Sequence, residues 1–138
     1  MRTTMDNTVE KLRALPFFSG LTTDQLKIVE SACESKDFKK EAVVIREGDT
    51  PDGMYVILGG AADVVKGGQT ISQLAEDNFF GELALLATAK PRTATIIAAE
   101  DLKTLFLPAN AFNNVKLGLS KEVFDEIVKR IAANNADN

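Results

Sequence analysis

Apolar residues change their spacing along this chain, and the changes divide it. Between residues 4 and 15, Val9, Leu12 and Leu15 recur at every third position, one stripe of a short helix that Pro16 ends. Phe17 and Phe18 follow, with Ser19-Gly20 as a turn. Thr22 with Gln25 has the spacing of a capping box. The helix it opens is expected to run to Ala32 or Glu34, with Leu26, Val29 and Cys33 inward. From Phe38 the period shortens. Segments 43–45, 55–58, 61–66, 70–75, 93–98 and 102–107 read as strands, several of them β-branched. Gly48-Asp49, Pro51-Asp52-Gly53, Gly59-Gly60 and Gly67-Gly68 separate them as turns. After Pro108 the helical period returns, with Phe112 and Val115 inward in a short helix over 109–115. Ser120 can cap a last helix whose broad face carries Val123, Phe124, Ile127, Val128 and Ile131. The tail 132–138 reads as frayed.

Many short strands between Gly and Pro turns predict a mainly β chain with flanking helices, in a sandwich or barrel of about eight strands. Three segments follow: helices over 1–36, the strand series over 37–107, and helices over 108–138.

Composition narrows the function. With 138 residues, 45% hydrophobic and 26% charged, the chain suits one domain with one core. A net charge of -4 and a pI near 4.9 disfavour a nucleic-acid partner, which needs a basic face. No apolar run is long enough to span a membrane, and MRTTMDNTVEKL lacks the apolar segment of a signal peptide. A cytoplasmic protein is expected. Cys33 stands alone, so no intramolecular disulfide forms, and the absence of His argues against a metal site. No nucleophile has a base partner in view. The chain is expected to bind a ligand without turning it over.

The chemistry gathers in NFFGELALLATAKPRTATII, residues 78–97. Gly81 can take a backbone conformation closed to other residues. The run 83–87 suits about one helical turn, and a short helix after a glycine presents N–H groups that hold anions. Arg92 adds a fork of donors suited to phosphate. Glu82 cannot serve a phosphate, because like charges repel; it needs donors, and sugar hydroxyls are donors. The stretch reads as a pocket for a phosphorylated sugar.

FGELALL followed by PRTAT resembles the phosphate-binding cassette of cyclic nucleotide-binding domains. These are regulatory modules of cyclic-nucleotide-dependent protein kinases, of certain channels and exchange factors, and of bacterial catabolite-activator-type regulators. REGD at 46–49, Tyr55-Val56-Ile57 and Gly60 resemble the first half of such a domain, and the likeness covers roughly residues 9–130. The resemblance implies an eight-stranded jelly-roll β-barrel with a cassette at 79–94, an N-terminal helical bundle and C-terminal lid helices. Arg92 is then expected to pair with the phosphate, with backbone N–H groups around Ala84 and Leu85 as further donors. Glu82 takes the ribose 2′-OH, and Gly81 lets the backbone pass close to the sugar. Leu74, Ala75 and Leu83 supply apolar contacts, and Phe124 is a candidate cap on the base. Thr93, just after the cassette arginine, leans to cGMP over cAMP, since a hydroxyl there can reach the guanine 2-amino group of a syn base; Thr also simply suits a strand. No cofactor or metal is implied. The implied partner is a kinase catalytic domain, in the same or a partner chain, whose autoinhibition the ligand relieves. A cAMP-sensing module of a kinase, channel or transcription regulator, and an interface-only module, stand as alternatives.

Overall fold

Two hydrogen bonds between Thr22 and Gln25 start the second helix as its sequence expects. The Thr22 hydroxyl accepts from the Gln25 N–H at 3.1 Å, and the Gln25 side chain accepts from the Thr22 N–H at 2.8 Å. The computed structural model describes residues 4–86, 89–115 and 118–134. Within them, α1 (Thr4–Arg13) and α2 (Thr23–Ser31) precede eight strands. These are β1 (Glu34–Phe38), β2 (Val43–Ile45), β3 (Gly53–Gly59), β4 (Ala62–Lys66), β5 (Gln69–Leu74), β6 (Phe79–Phe80), β7 (Thr95–Ala98) and β8 (Leu102–Pro108). A 3-10 turn, Glu82–Leu85, lies between β6 and β7, and α3 (Ala109–Val115) and α4 (Lys121–Asn134) close the series.

The strands form two antiparallel four-stranded sheets, ordered β1-β8-β3-β6 and β2-β7-β4-β5. The first is the middle layer, and alternation along its strands serves two cores. Tyr55 and Ile57 of β3, with Leu102 and Phe106 of β8, meet Ala62, Ile96 and Ala98 of the second sheet. Met54, Val56, Leu105 and Leu107 pack on the opposite side with Leu12, Phe17, Leu26, Phe112, Ile127 and Ile131 of the helical layer. A one-residue slip would exchange the faces, so both cores hold one register, Tyr55 opposite Phe106. Each large apolar side chain fully buried contributes about 1.5–3 kcal/mol, which ties the helices firmly to β3 and β8.

The structure corrects the predicted elements at three places. The strand series begins at Glu34, ahead of the change of period at Phe38, inside the segment expected to be helical. ESKDF carries no alternation because β1 is an edge strand, mostly exposed, and its pairing comes from β8. Thr104 donates to the Lys36 carbonyl at 2.6 Å, and the Lys36 ammonium lies 4.0 Å over the Phe106 ring. The two-residue β6 is too short to carry a period. The segment expected as a strand from 93 begins at Thr95. Its first residues belong to a loop fastened elsewhere. The Gly67-Gly68 hairpin holds, with φ of +59° and +82°, the double left-handed turn that matches strand twist. Residues 87 and 88, within the expected helical run and polar loop, and the tail past 134 lie outside the described residues.

Candidate functional site: the Gly81–Glu82 turn and Arg92

Gly81 has φ +80°, a value that L side chains avoid. The chain then enters the short helical turn expected after the glycine, a 3-10 turn over Glu82–Leu85. The Ala84 N–H donates to the Gly81 carbonyl at 3.0 Å, and the Leu86 N–H to that of Leu83 at 3.0 Å. The Ala84 amide, expected as a free donor for an anion, is thus engaged inside the turn. Ala84 and Leu85 point into the core, Leu83 is 44% exposed, and Glu82 is half-buried. The Glu82 carboxylate makes no hydrogen bond or ion pair among the described residues. It stands as a ready acceptor.

Arg92 is buried. A charged residue at the mouth of a strand is ordinarily solvated, so its burial needs compensation. Nη2 donates to the Gly53 carbonyl at 2.8 Å and to Asp52 Oδ1 at 3.0 Å, and Nη1 donates to the Gly81 carbonyl at 3.4 Å. Nε–H is buried and unpartnered among the described residues. The backbone is held as well. The Arg92 N–H donates to the Asp49 carbonyl and the Gly48 N–H to the Arg92 carbonyl, both at 2.8 Å. The REGD loop is closed on itself, Asp49 Oδ2 accepting from the Arg46 N–H at 3.1 Å. It is also fastened to β7, where Thr95 Oγ1 accepts from the Glu47 N–H at 3.0 Å. REGD therefore acts as a clasp on residue 92.

Gly81 and Arg92 are brought together more tightly than the sequence suggests. A Cβ on Gly81 would stand 2.7 Å from Arg92 Nη1 and 3.1 Å from the Gly53 carbonyl. In this structure the group passing close to Gly81 is the guanidinium. Asp52 and Gly53 are partners of Arg92 that the sequence does not announce. Their signal, Pro51-Asp52-Gly53, was legible only as a turn, because a sequence does not say whose side chain reaches the turn.

Thr93 lies exposed beside Arg92. Leu74 is half-buried against the inter-sheet core, and Ala75 is exposed with its N–H donating to Asn78 Oδ1 at 2.8 Å. Phe124, the candidate cap, lies on α4. Its ring is tilted on Phe112 at 5.1 Å, half-buried at the shoulder of the apolar face that sinks Ile127 and Ile131. Both α3 and α4 pack against the 3-10 turn.

Tyr55 stacks on Phe80, which immediately precedes Gly81, at 5.0 Å. Burial pushes its phenol up to about 12, with the Asp52 charge adding and Arg92 opposing. The Cys33 thiol is also pushed up to about 12, chiefly by burial, so it is a poor nucleophile. Among the described residues no cluster of His, Cys, Asp and Glu could hold a metal ion, and no helix is long and apolar enough to cross a membrane. A cavity of about 430 Å³ by the end of β3 is lined by Lys39, Gly59, Gly60 and Asp101 among others, and its lining includes no residue predicted for the site.

Two sheets, a glycine-led acidic turn and an arginine held behind it define a domain of the cyclic nucleotide-binding type. The chain belongs to the cyclic nucleotide-binding domain family, whose model matches residues 35–116, more than half of its length. It is 36% identical over 104 residues to a cAMP-dependent protein kinase regulatory subunit of Hypocrea atroviridis, covering 75% of this chain and 22% of that protein. It is 38% identical over 89 residues to a cGMP-dependent protein kinase of Toxoplasma gondii, covering 64% of this chain and 9% of that one. The chain thus spans less than a quarter of either relative. Among solved structures, the N-terminal domain of a transcriptional regulator from Streptomyces coelicolor A3(2) matches with a TM-score of 0.79 at 23% identity, covering 92% of this chain and 91% of that one. A cyclic nucleotide-binding protein from Geobacter metallireducens, described as putative, matches at 0.75 and 19%, covering 94% and 95%. At such identities these two speak for the fold alone.

Proposed function

We propose that this domain is a regulatory sensor of a 3′,5′-cyclic nucleotide, with the ligand held at the Gly81–Glu82 turn and Arg92. The observation that carries the reading is the buried Nε–H of Arg92, without a partner among the described residues, behind a half-buried Glu82 that is likewise unengaged among them. An unmet buried donor is costly, and an anionic oxygen is the acceptor that repays most. A cyclic phosphate supplies that oxygen, and its ribose supplies a 2′-OH donor for Glu82. Leu74, Ala75 and the exposed Leu83 are the apolar surface offered to sugar and base. The two sheets act as the halves of a jelly-roll barrel with the helices as a movable cover, and Phe124 would have to leave Phe112 to cap a base.

The finer reading is cGMP, on the exposed hydroxyl of Thr93 next to Arg92. Relatives named as cAMP-dependent kinase regulatory subunits favour cAMP as the second reading. In either case occupancy is coupled to the flanking helices, and through them to a kinase catalytic domain in the same or a partner chain, whose inhibition it relieves.

Isothermal titration with cGMP and cAMP, beside Glu82→Gln, tests this. Saturable binding that the substitution weakens about three- to tenfold is expected, the difference between a charged and a neutral acceptor for the 2′-OH. Failure of both nucleotides to bind would overturn the reading, and equal or reversed preference would remove the role of Thr93.

A further inference from the structure

The turn that leads into the cassette, residues 75–78, is held from two sides. On the sheet side, the Asp77 N–H donates to the Ile57 carbonyl at 2.9 Å, and the Ile57 N–H to the Asn78 carbonyl at 2.9 Å. The Asn78 N–H closes the turn onto the Ala75 carbonyl at 3.0 Å. Asp77 takes a φ of +76°, in the left-handed region that Asp enters more readily than most L residues. On the other side stands α1. Lys11, in its last turn, has a side chain only 14% exposed, and its ammonium bridges Glu76 Oε2 at 3.1 Å and Asp77 Oδ1. A second, apolar contact runs parallel to it, Phe17 meeting Phe79 edge-on at 5.3 Å. The contacts join α1, through Lys11, and the turn that follows it, through Phe17, to the few residues between Ala75 and Gly81.

Lysine stems normally run along the surface with the charge in water. Here the side chain is largely buried and one ammonium serves two carboxylates on one turn. We propose that Lys11 is a positioning residue for the ligand, an ionic latch through which the placement of α1 sets the geometry of turn 75–78 and so the affinity of the site at Ala75, Gly81 and Glu82. The inference rests on the cyclic-nucleotide reading given above. Ordering the turn in advance removes a cost that ligand must otherwise meet, so the latched state binds better. By reciprocity, ligand draws α1 onto the turn.

Lys11→Met keeps the aliphatic stem and removes the charge. Lys11→Glu combined with Glu76→Lys and Asp77→Asn rebuilds one ion pair in reverse without asking a lysine to adopt the φ of residue 77. Kd for both nucleotides is measured at low and high salt, with amide hydrogen exchange over residues 75–80 in the absence of ligand. For K11M, Kd is expected to rise about three- to tenfold at low salt, the reach of a partly exposed ion-pair network, and to converge on wild type at high salt. Exchange over 75–80 quickens, and the reversed combination restores both readouts. Unchanged exchange and unchanged Kd in K11M overturn the latch. Quickened exchange with unchanged Kd leaves the latch a structural tie and overturns the coupling. Wild-type protein that binds neither nucleotide, with exchange still quickened in K11M, places the failure in the site reading and removes the coupling with it.

Discussion

Arg92 donates from one nitrogen, Nη2, both to Asp52 Oδ1 at 3.0 Å and to the Gly53 carbonyl at 2.8 Å. The two partners differ in kind. The Arg92 side chain is 6% exposed and that of Asp52 is 60% exposed, so the carboxylate pairs with the cation from the solvent side. The carbonyl bond is the buried one. Screening discounts the ion pair, and more of the hold on Arg92 therefore comes from the carbonyls of Gly53 and Gly81.

Arg92→Ala is therefore expected to act twice. It strands a buried carbonyl acceptor and costs about 1–3 kcal/mol of stability, read as a lower urea midpoint. It also weakens nucleotide binding at least about tenfold, the size expected for losing a buried charged hydrogen-bond partner. Arg92→Lys separates the two effects, since a point charge cannot keep the fork to Gly53, Asp52 and Gly81. It should retain part of the affinity while still losing stability. Unaltered stability in both variants would show that the carbonyl contacts do not hold the loop.

Asp52→Asn leaves the arginine buried with its carbonyl partners and removes the competing negative charge. Affinity for an anionic ligand should rise about two- to fivefold at low ionic strength, with the gain fading as salt is added. Titration across a salt series measures this. Weaker binding in the variant would mean that Asp52 serves chiefly to aim the guanidinium.

Gly81→Ala should be the most damaging small substitution in the cassette. The left-handed conformation alone costs an ordinary residue about 1–2 kcal/mol. The added Cβ would also sit 2.7 Å from Arg92 Nη1, so the guanidinium must give way. Loss of both stability and nucleotide affinity is expected, followed by thermal unfolding and titration. Normal affinity would show that the arginine has another seat.

Tyr55 is the chain's one tyrosine, and tryptophan is absent, so phenolate absorbance reports this residue alone. Its ionisation is expected near pH 12 in the fold and near 10.0 once unfolded. The native pKa is the raised one, so the stability linked to it is whole below about pH 10 and lost as pH climbs toward about 12. Cys33 adds to the same alkaline loss, starting from its ordinary 9.0 and extending to about 12. Titration of Tyr55 near 10.0 in folded protein would contradict its packing between Phe80 and Phe106.

Local chemistry was legible from the order of residues wherever one segment decides its own shape. Thr22 and Gln25 announce a helix start because the capping box closes within four residues. Gly67-Gly68 announces a hairpin because only the turn's own φ values matter. The apolar face of α4 is legible by its period, and β3 by its run of apolar, partly β-branched residues. By the same logic FGELALL and PRTAT marked the cassette, and the family match over 35–116 bears out the recognition. What distant segments settle between them was not legible. β1 has no pattern of its own and is a strand because β8 lies beside it. Arg92 reads alone as a surface cation and is buried because the carbonyls of Gly53 and Gly81 and the carboxylate of Asp52 converge on it from as far as 40 positions away. Hydrogen-bond donors are written in the sequence. Whether a buried donor finds its acceptor depends on which backbones the two sheets bring within about 3 Å of it, and that is decided by tertiary structure.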